Sequence, residues 1–148
     1  SNISGDNIVV LGAGARPSIS GAISEITLGN SGITTLRCAV TSITSLSDAR
    51  DKKDVTDLRA GLDFVNALRP VEFVWGDRDE DGKHDAADFG FIAQDLKAAQ
   101  EDATLDNILK LVYESNPEKL EASYGKLVPI LVKAVQELAA KVEQLEGK

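Results

Sequence analysis

The sequence predicts an α+β fold with a β-rich N-terminal segment, a small α/β-hairpin head and a long C-terminal helix. Residues 1–46 are rich in Gly, Ser, Thr and Ile and carry few charges, whereas residues 47–148 are rich in Asp, Glu, Lys, Leu and Ala. The second part also ends in a regular helical period of apolar residues. We therefore predict two domains, residues 1–46 and residues 47–148, with the boundary at Ser47.

The N-terminal domain is predicted to form short strands joined by tight turns. Its β-branched runs are separated by Gly, Asn and Ser, and they occupy residues 8–11, 26–28, 33–36 and 43–44. Because apolar residues are few and aromatic residues are absent here, a lone copy would bury too little surface to offset its conformational entropy. We expect three copies to share one core along an axis, as a trimeric β-prism or β-helix.

Within the head, residues 55–75 are predicted to form a helix that leads into a strand. Apolar residues recur at spacings of three and four from Val55 to Leu68, which is typical of a helix with one buried face. Asp54 is a suitable N-cap for this helix, and Arg69-Pro70 would end it.

A β-hairpin and further helical sequence are predicted to follow. Val71, Phe73 and Trp75 alternate with Glu72 and Val74, which indicates a half-buried strand whose partner is residues 89–93. A helical pattern then resumes from Gln94 to about Tyr113. We expect the aromatic side chains of the hairpin to lie in the core, namely Phe73, Trp75, Phe89 and Phe91.

The C-terminal helix, about residues 126–147, carries an unbroken heptad repeat. Its apolar residues alternate at spacings of three and four, with valine at position a and leucine at position d: Val128, Leu131, Val135, Leu138, Val142 and Leu145. We call these six residues the seam. The seam predicts a parallel coiled coil, and valine at a with leucine at d favours two strands by the usual packing rule.

Composition excludes several classes of function. A net charge of −8 argues against a nucleic-acid-binding surface, which needs a basic face. No apolar run approaches the roughly 20 residues that a membrane span needs. The single cysteine, Cys38, has no partner for an internal disulfide, which fits assembly in a reducing cytosol. The absence of methionine indicates a piece of a longer polypeptide.

The loop predicted between the two hairpin strands resembles a calcium-binding loop in its spacing. Carboxylates occupy loop positions one, three, five, nine and twelve, and Gly82 occupies position six, where a sharp turn is needed. The alternative is an acidic hairpin tip that is simply solvated. No other cofactor is indicated, and the candidate Ca²⁺ ligands are Asp77, Asp79, Asp81, Asp85 and Asp88.

Four ordered sequence blocks carry a resemblance to a known family. Taken alone, Ser47 with Lys52 five residues later supplies the two groups of a Ser–Lys dyad, but such a spacing is more often a charged helix start. The blocks are Ser47-Asp48-x-Arg50-x-Lys52, Leu68-Arg69-Pro70-Val71-x-Phe73-x-Trp75, Gly90-Phe91-Ile92-Ala93-Gln94-Asp95 and Tyr124-x-Lys126-Leu127-Val128-Pro129-Ile130-Leu131. Together they resemble the peptidase S74 family, the C-terminal intramolecular chaperones of bacteriophage tail fibres and tailspikes.

The resemblance implies a function for each part of the chain. Residues 1–46 would be the end of a fibre shaft and the client of the chaperone, and residues 47–148 would be the chaperone. The family implies a homotrimer that cuts itself once, as a serine endopeptidase, between Leu46 and Ser47. Ser47 would be the nucleophile and Lys52 the general base. The shaft would remain in the virion, and the chaperone would be released in the host cytoplasm.

The direction of attack, the oxyanion donor and the function itself stay open at this point. The attack on the Leu46 carbonyl can come from the same chain or from a neighbouring protomer, and the sequence names no oxyanion donor. A non-cleaving structural fibre tip is one alternative function. A calcium-dependent adhesion or receptor-binding module built on residues 77–88 is another.

Overall fold

The computed structural model describes residues 6–33, 35–40, 42–76 and 85–147. Within those ranges the chain forms helices and three small two-stranded sheets, which confirms the mixed α and β composition that the sequence predicts. No helix in the described ranges has the length and apolar character needed to span a bilayer.

The described part of the predicted N-terminal domain contains two short parallel strands. Strand β1 (Ile8–Leu11) pairs with β2 (Glu25–Leu28), with Ile8 opposite Glu25. The further strands predicted at 33–36 and 43–44 do not form in the described residues of those ranges. Side chains there are exposed, and a short strand with no partner and nothing to cover has no source of stability.

Helix α1 (Leu62–Ala67) is shorter than predicted, because it begins at Leu62 and not near Val55. The start is fixed by a distant residue: the backbone N–H of Leu62 donates to Glu137 Oε2 at 2.7 Å. Asp54 has a φ of 51° and does not cap a helix. Gly61 precedes the first turn, and its poor helix propensity favours a boundary there.

The predicted hairpin is confirmed, with its strands at slightly different positions. Strand β3 (Val71–Val74) pairs antiparallel with β4 (Ala87–Gly90), with Val71 opposite Gly90. The prediction of buried aromatics is wrong for Phe89, whose side chain is 80% exposed, and Trp75 is also exposed. The register explains this, because Phe89 lies opposite exposed Glu72 on the outer face of the hairpin.

The helical pattern after the hairpin divides into three elements. Helix α2 (Ala93–Asp102) is followed by the short helix α3 (Asp106–Leu109) and by β5 (Val112–Tyr113), which pairs antiparallel with β6 (Glu121–Ala122). The predicted continuous helix to Tyr113 is therefore wrong. Left-handed backbone at Thr104 and Lys110 breaks it, and the buried side chain of Gln100 accepts a hydrogen bond from Leu111 N at 3.0 Å.

Helix α4 (Leu127–Leu145) confirms the predicted C-terminal helix and closes the core of the head. A single turn of 3₁₀ helix, Tyr124–Lys126, precedes it. Leu127 and Ile130 of α4 are buried, whereas the seam residues are 44–88% exposed. The buried core cluster consists of Ala60, Phe64, Leu105, Leu109, Leu111, Leu127 and Ile130.

Candidate self-cleavage site and its supporting framework

The second and third sequence blocks are joined by an ion pair. Arg69 lies two residues after the end of α1. It donates from Nε at 3.1 Å and from Nη2 at 2.7 Å to Oδ2 of Asp95 in α2. Both side chains are largely solvent-accessible, so the pair contributes little net stability. The pair links the end of α1 to the first turn of α2.

The third and fourth blocks are joined by a tyrosine. The backbone N–H of Phe91 donates to Tyr124 Oη at 3.0 Å, and the two rings meet edge to face with centroids 5.7 Å apart. Lys126 Nζ donates to the carbonyl of Lys110 at 3.1 Å, which satisfies an acceptor just after α3. Three of the four blocks thus hold the head together around the base of α4.

The first block is different, because its side chains contact one another. Lys52 Nζ donates to Ser47 Oγ at 2.7 Å. The two residues are brought together by a turn of 3₁₀ helix, Ala49–Asp51, that lies between them. The structure therefore places the two sequence-predicted catalytic groups within hydrogen-bond distance in a single chain.

A second pair of charged groups lies beside this contact. Asp48 accepts from Arg50 three times: from the backbone N at 2.9 Å, from Nε at 3.0 Å and from Nη2 at 2.6 Å. The Arg50 hydrogen bonds lower the pKa of the Asp48 carboxyl, and the same contact raises the pKa of the Arg50 guanidinium. Asp48 and Arg50 therefore form an ion pair beside the dyad contact.

The junction itself is fully accessible. Leu46, on the other side of the bond predicted to be cut, is 99% exposed, and Ser47 and Lys52 are exposed as well. A lysine amine is protonated at neutral pH, and it accepts a proton only after burial or a cationic neighbour favours its neutral form. The single chain supplies the contact between the two groups but does not shield it from water.

The candidate calcium loop falls largely outside the described residues. Asp77, Asp79 and Asp81 lie there, while Asp85 and Asp88 are described. Asp88 accepts from Trp75 Nε1 at 3.1 Å and from the backbone N of Phe89 at 2.8 Å. In the described part of the chain, no group of three or more acidic, His or Cys side chains is arranged to hold a metal ion.

Two supporting residues were not recognised from the sequence. The side chain of Asp48 accepts a hydrogen bond from the backbone N–H two residues later, at the start of the turn between Ser47 and Lys52. An Asp at such a position is a common turn signal, which could have identified it. Glu137, 75 residues away in the sequence, accepts the hydrogen bond from the first backbone N–H of α1. No local sequence pattern could have revealed that contact.

The structure thus pairs a lysine amine with a serine hydroxyl at the start of a small α+β head. The family model Peptidase_S74, described as the chaperone of endosialidase, matches residues 47–105, the segment that begins at this serine. The resemblance to the peptidase S74 family is thereby confirmed for these residues, and the fourth block lies beyond them. Comparisons with curated proteins and with solved structures gave no match.

Proposed function

We propose that this chain is the trimerisation chaperone of a phage tail fibre or tailspike, and that it cuts itself between Leu46 and Ser47 after assembly. The observation that carries the proposal is the 2.7 Å contact between Lys52 Nζ and Ser47 Oγ, at the first residues of the segment that matches the S74 family. Residues 1–46 are the client shaft in this proposal, and residues 47–148 are the chaperone.

The proposed reaction is an acyl shift followed by hydrolysis. Lys52 takes the hydroxyl proton of Ser47, and Oγ bonds to the carbonyl carbon of Leu46. The carbon–nitrogen bond between Leu46 and Ser47 then breaks, and the freed nitrogen takes up the proton from Lys52. Water hydrolyses the resulting ester, which restores the hydroxyl and leaves Ser47 as a new N-terminus. Because the dyad contact forms within one chain, we propose that each protomer cuts itself.

Assembly is proposed to switch the reaction on. Ser47 and Lys52 are exposed in the single chain, and a neighbouring protomer packed over them would favour the neutral amine. The exposed seam of α4 supplies the surface that brings protomers together. We place three chains around it, as the family resemblance implies, although the side-chain packing rule favours two.

Coupling the cut to assembly has a physical rationale. Pairing of shaft strands between chains is non-local and slow, while a helical bundle forms quickly. Three joined C-termini raise the effective concentration of the shaft segments. After the cut the shaft is kinetically trapped, because the element that set its register has gone. The shaft then stays in the virion, and the chaperone is left in the host cytoplasm.

The decisive experiment compares single substitutions at the junction. Ser47→Ala and Lys52→Ala should each leave the chain at full length on a denaturing gel, whereas the wild type yields a fragment that begins at Ser47. Lys53→Ala is the matched control, since it removes the adjacent lysine, and it should still be cut. Cutting of Ser47→Ala, or a new N-terminus elsewhere, would refute the dyad.

Mixed assemblies separate the two possible directions of attack. Chains carrying Ser47→Ala and chains carrying Lys52→Ala should be denatured together, refolded together and tested for the fragment. If both groups act within one protomer, neither chain is cut in the mixture. Restored cutting would show that Lys52 serves a neighbouring protomer. A wild-type chain that stays intact in a verified trimer would instead favour the non-cleaving structural tip.

A further inference from the structure

The segment between Ser47 and Lys52 must curl for the two side chains to meet. Five residues of extended chain would separate their Cα atoms by about 17 Å. The 3₁₀ turn Ala49–Asp51 shortens this path, with backbone bonds from Asp51 N to Asp48 O at 3.1 Å and from Lys52 N to Ala49 O at 3.2 Å. The turn therefore brings the two residues close enough for the dyad contact to form.

The turn has no stability from packing. None of its residues is buried, and such short 3₁₀ segments have weak hydrogen-bond geometry and a costly nucleus. What holds it is Asp48, whose side chain accepts from the backbone N–H of Arg50 at the start of the turn. The Arg50 guanidinium then holds the same carboxylate through both of its oxygens.

We propose that Asp48 is the positioning residue of the Ser47–Lys52 pair: it caps the turn that brings the lysine amine to the serine hydroxyl. The inference rests on the proposed self-cleavage. Asp48 acts through the backbone and not as a proton acceptor, because Arg50 occupies both carboxylate oxygens. Its side chain is a support for the reacting groups and has no direct contact with the bond that is cut.

Three variants in the full chain test this role. Asp48→Ala removes the cap and should slow cutting about five-fold, the usual effect of a lost N-cap on a helix equilibrium. Asp48→Asn keeps an oxygen that accepts from Arg50 N and should restore most of the rate. Asp51→Ala is the matched control, because it removes a carboxylate from the same exposed turn without removing the cap, and it should cut at the wild-type rate.

The readout is the rate at which the fragment starting at Ser47 forms, measured on trimers of verified mass with unchanged melting temperature. Equal slowing in Asp48→Ala and Asp48→Asn would overturn the cap assignment, and so would equal slowing in Asp51→Ala. A wild-type rate in Asp48→Ala overturns the inference alone, provided that Ser47→Ala stays uncut. If Ser47→Ala is cut, the proposed function fails first.

Discussion

At the scale of single residues, Gly90 and Tyr124 show how two sequence blocks depend on each other. A Cβ placed on Gly90 would lie 2.5 Å from Tyr124 Oη, which is far inside van der Waals contact. The same hydroxyl accepts from Phe91 N at 3.0 Å and donates to Phe91 O at 3.4 Å. A larger residue at position 90 would displace the tyrosine hydroxyl from its partners.

We predict that Gly90→Ala lowers the free energy of unfolding by about 1 kcal/mol, the usual net worth of a hydrogen bond. Tyr124 is half exposed and can swing away, so the cost is the lost bond to Phe91 and not a buried clash. Thermal denaturation of Gly90→Ala, Tyr124→Phe and the double variant measures this. The double variant should be little worse than Tyr124→Phe, and strictly additive losses would contradict the shared origin.

At the scale of elements, α4 organises the head through its contact with α1. Glu137 of α4 accepts from the first backbone N–H of α1, and Lys133 lies one helical turn before it at 3.5 Å. The Leu62 hydrogen bond, followed by the charge of Lys133, lowers the pKa of the Glu137 carboxyl. One side chain thus links the start of α1 to the middle of α4.

We predict that Glu137→Ala lowers the melting temperature at neutral pH and that Glu137→Gln, which keeps an acceptor, lowers it less. A carboxyl whose pKa is depressed by folding stabilises the folded state above its unfolded pKa, here near 4.5, and loses that effect as the pH falls through the folded pKa. The wild-type advantage over Glu137→Gln should therefore shrink below pH 4.5. An advantage that is constant down to pH 3 would contradict this role.

The elements that the sequence predicted correctly are those fixed by local patterns. The heptad repeat of α4 and the alternation in β3 follow directly from residue spacing, and both elements are present. The start of α1 was missed because it depends on Glu137, and the end of the helical pattern before Tyr113 was missed because Leu111 N donates to the buried amide of Gln100. Neither contact leaves a signal in the nearby sequence.

The closeness of the two candidate catalytic side chains was predictable for the same reason. Ser47 and Lys52 are five residues apart, so a single turn brings them together, and the family blocks had already singled out that spacing. The supporting framework was less predictable. The pairing of Arg69 with Asp95 crosses 26 residues, and it depends on how α1 and α2 are arranged in space.

At the scale of the whole molecule, α4 presents two faces with different roles. One face packs against the head through Leu127, Ile130 and Ala134, which are buried. The seam lies on another face and is exposed along its length, from Val128 to Leu145. Its fewer than three heptads are short for an independent coiled coil, so an assembly built on it would need support from the head and the shaft.

We predict that Leu138→Asp abolishes the trimer and, with it, cutting at Ser47. Three carboxylates would be buried around one axis, at a cost of several kcal/mol, while the dyad residues remain unchanged. Ala140→Asp is the matched control: it adds the same charge to the same helix at an exposed position outside the seam, and it should leave mass and cutting intact.

Light scattering on the uncut Ser47→Ala chain should give three times the chain mass. A dimer mass would show that the Val/Leu packing rule decides the oligomer, and efficient cutting by a monomeric Leu138→Asp chain would show that assembly does not control the chemistry.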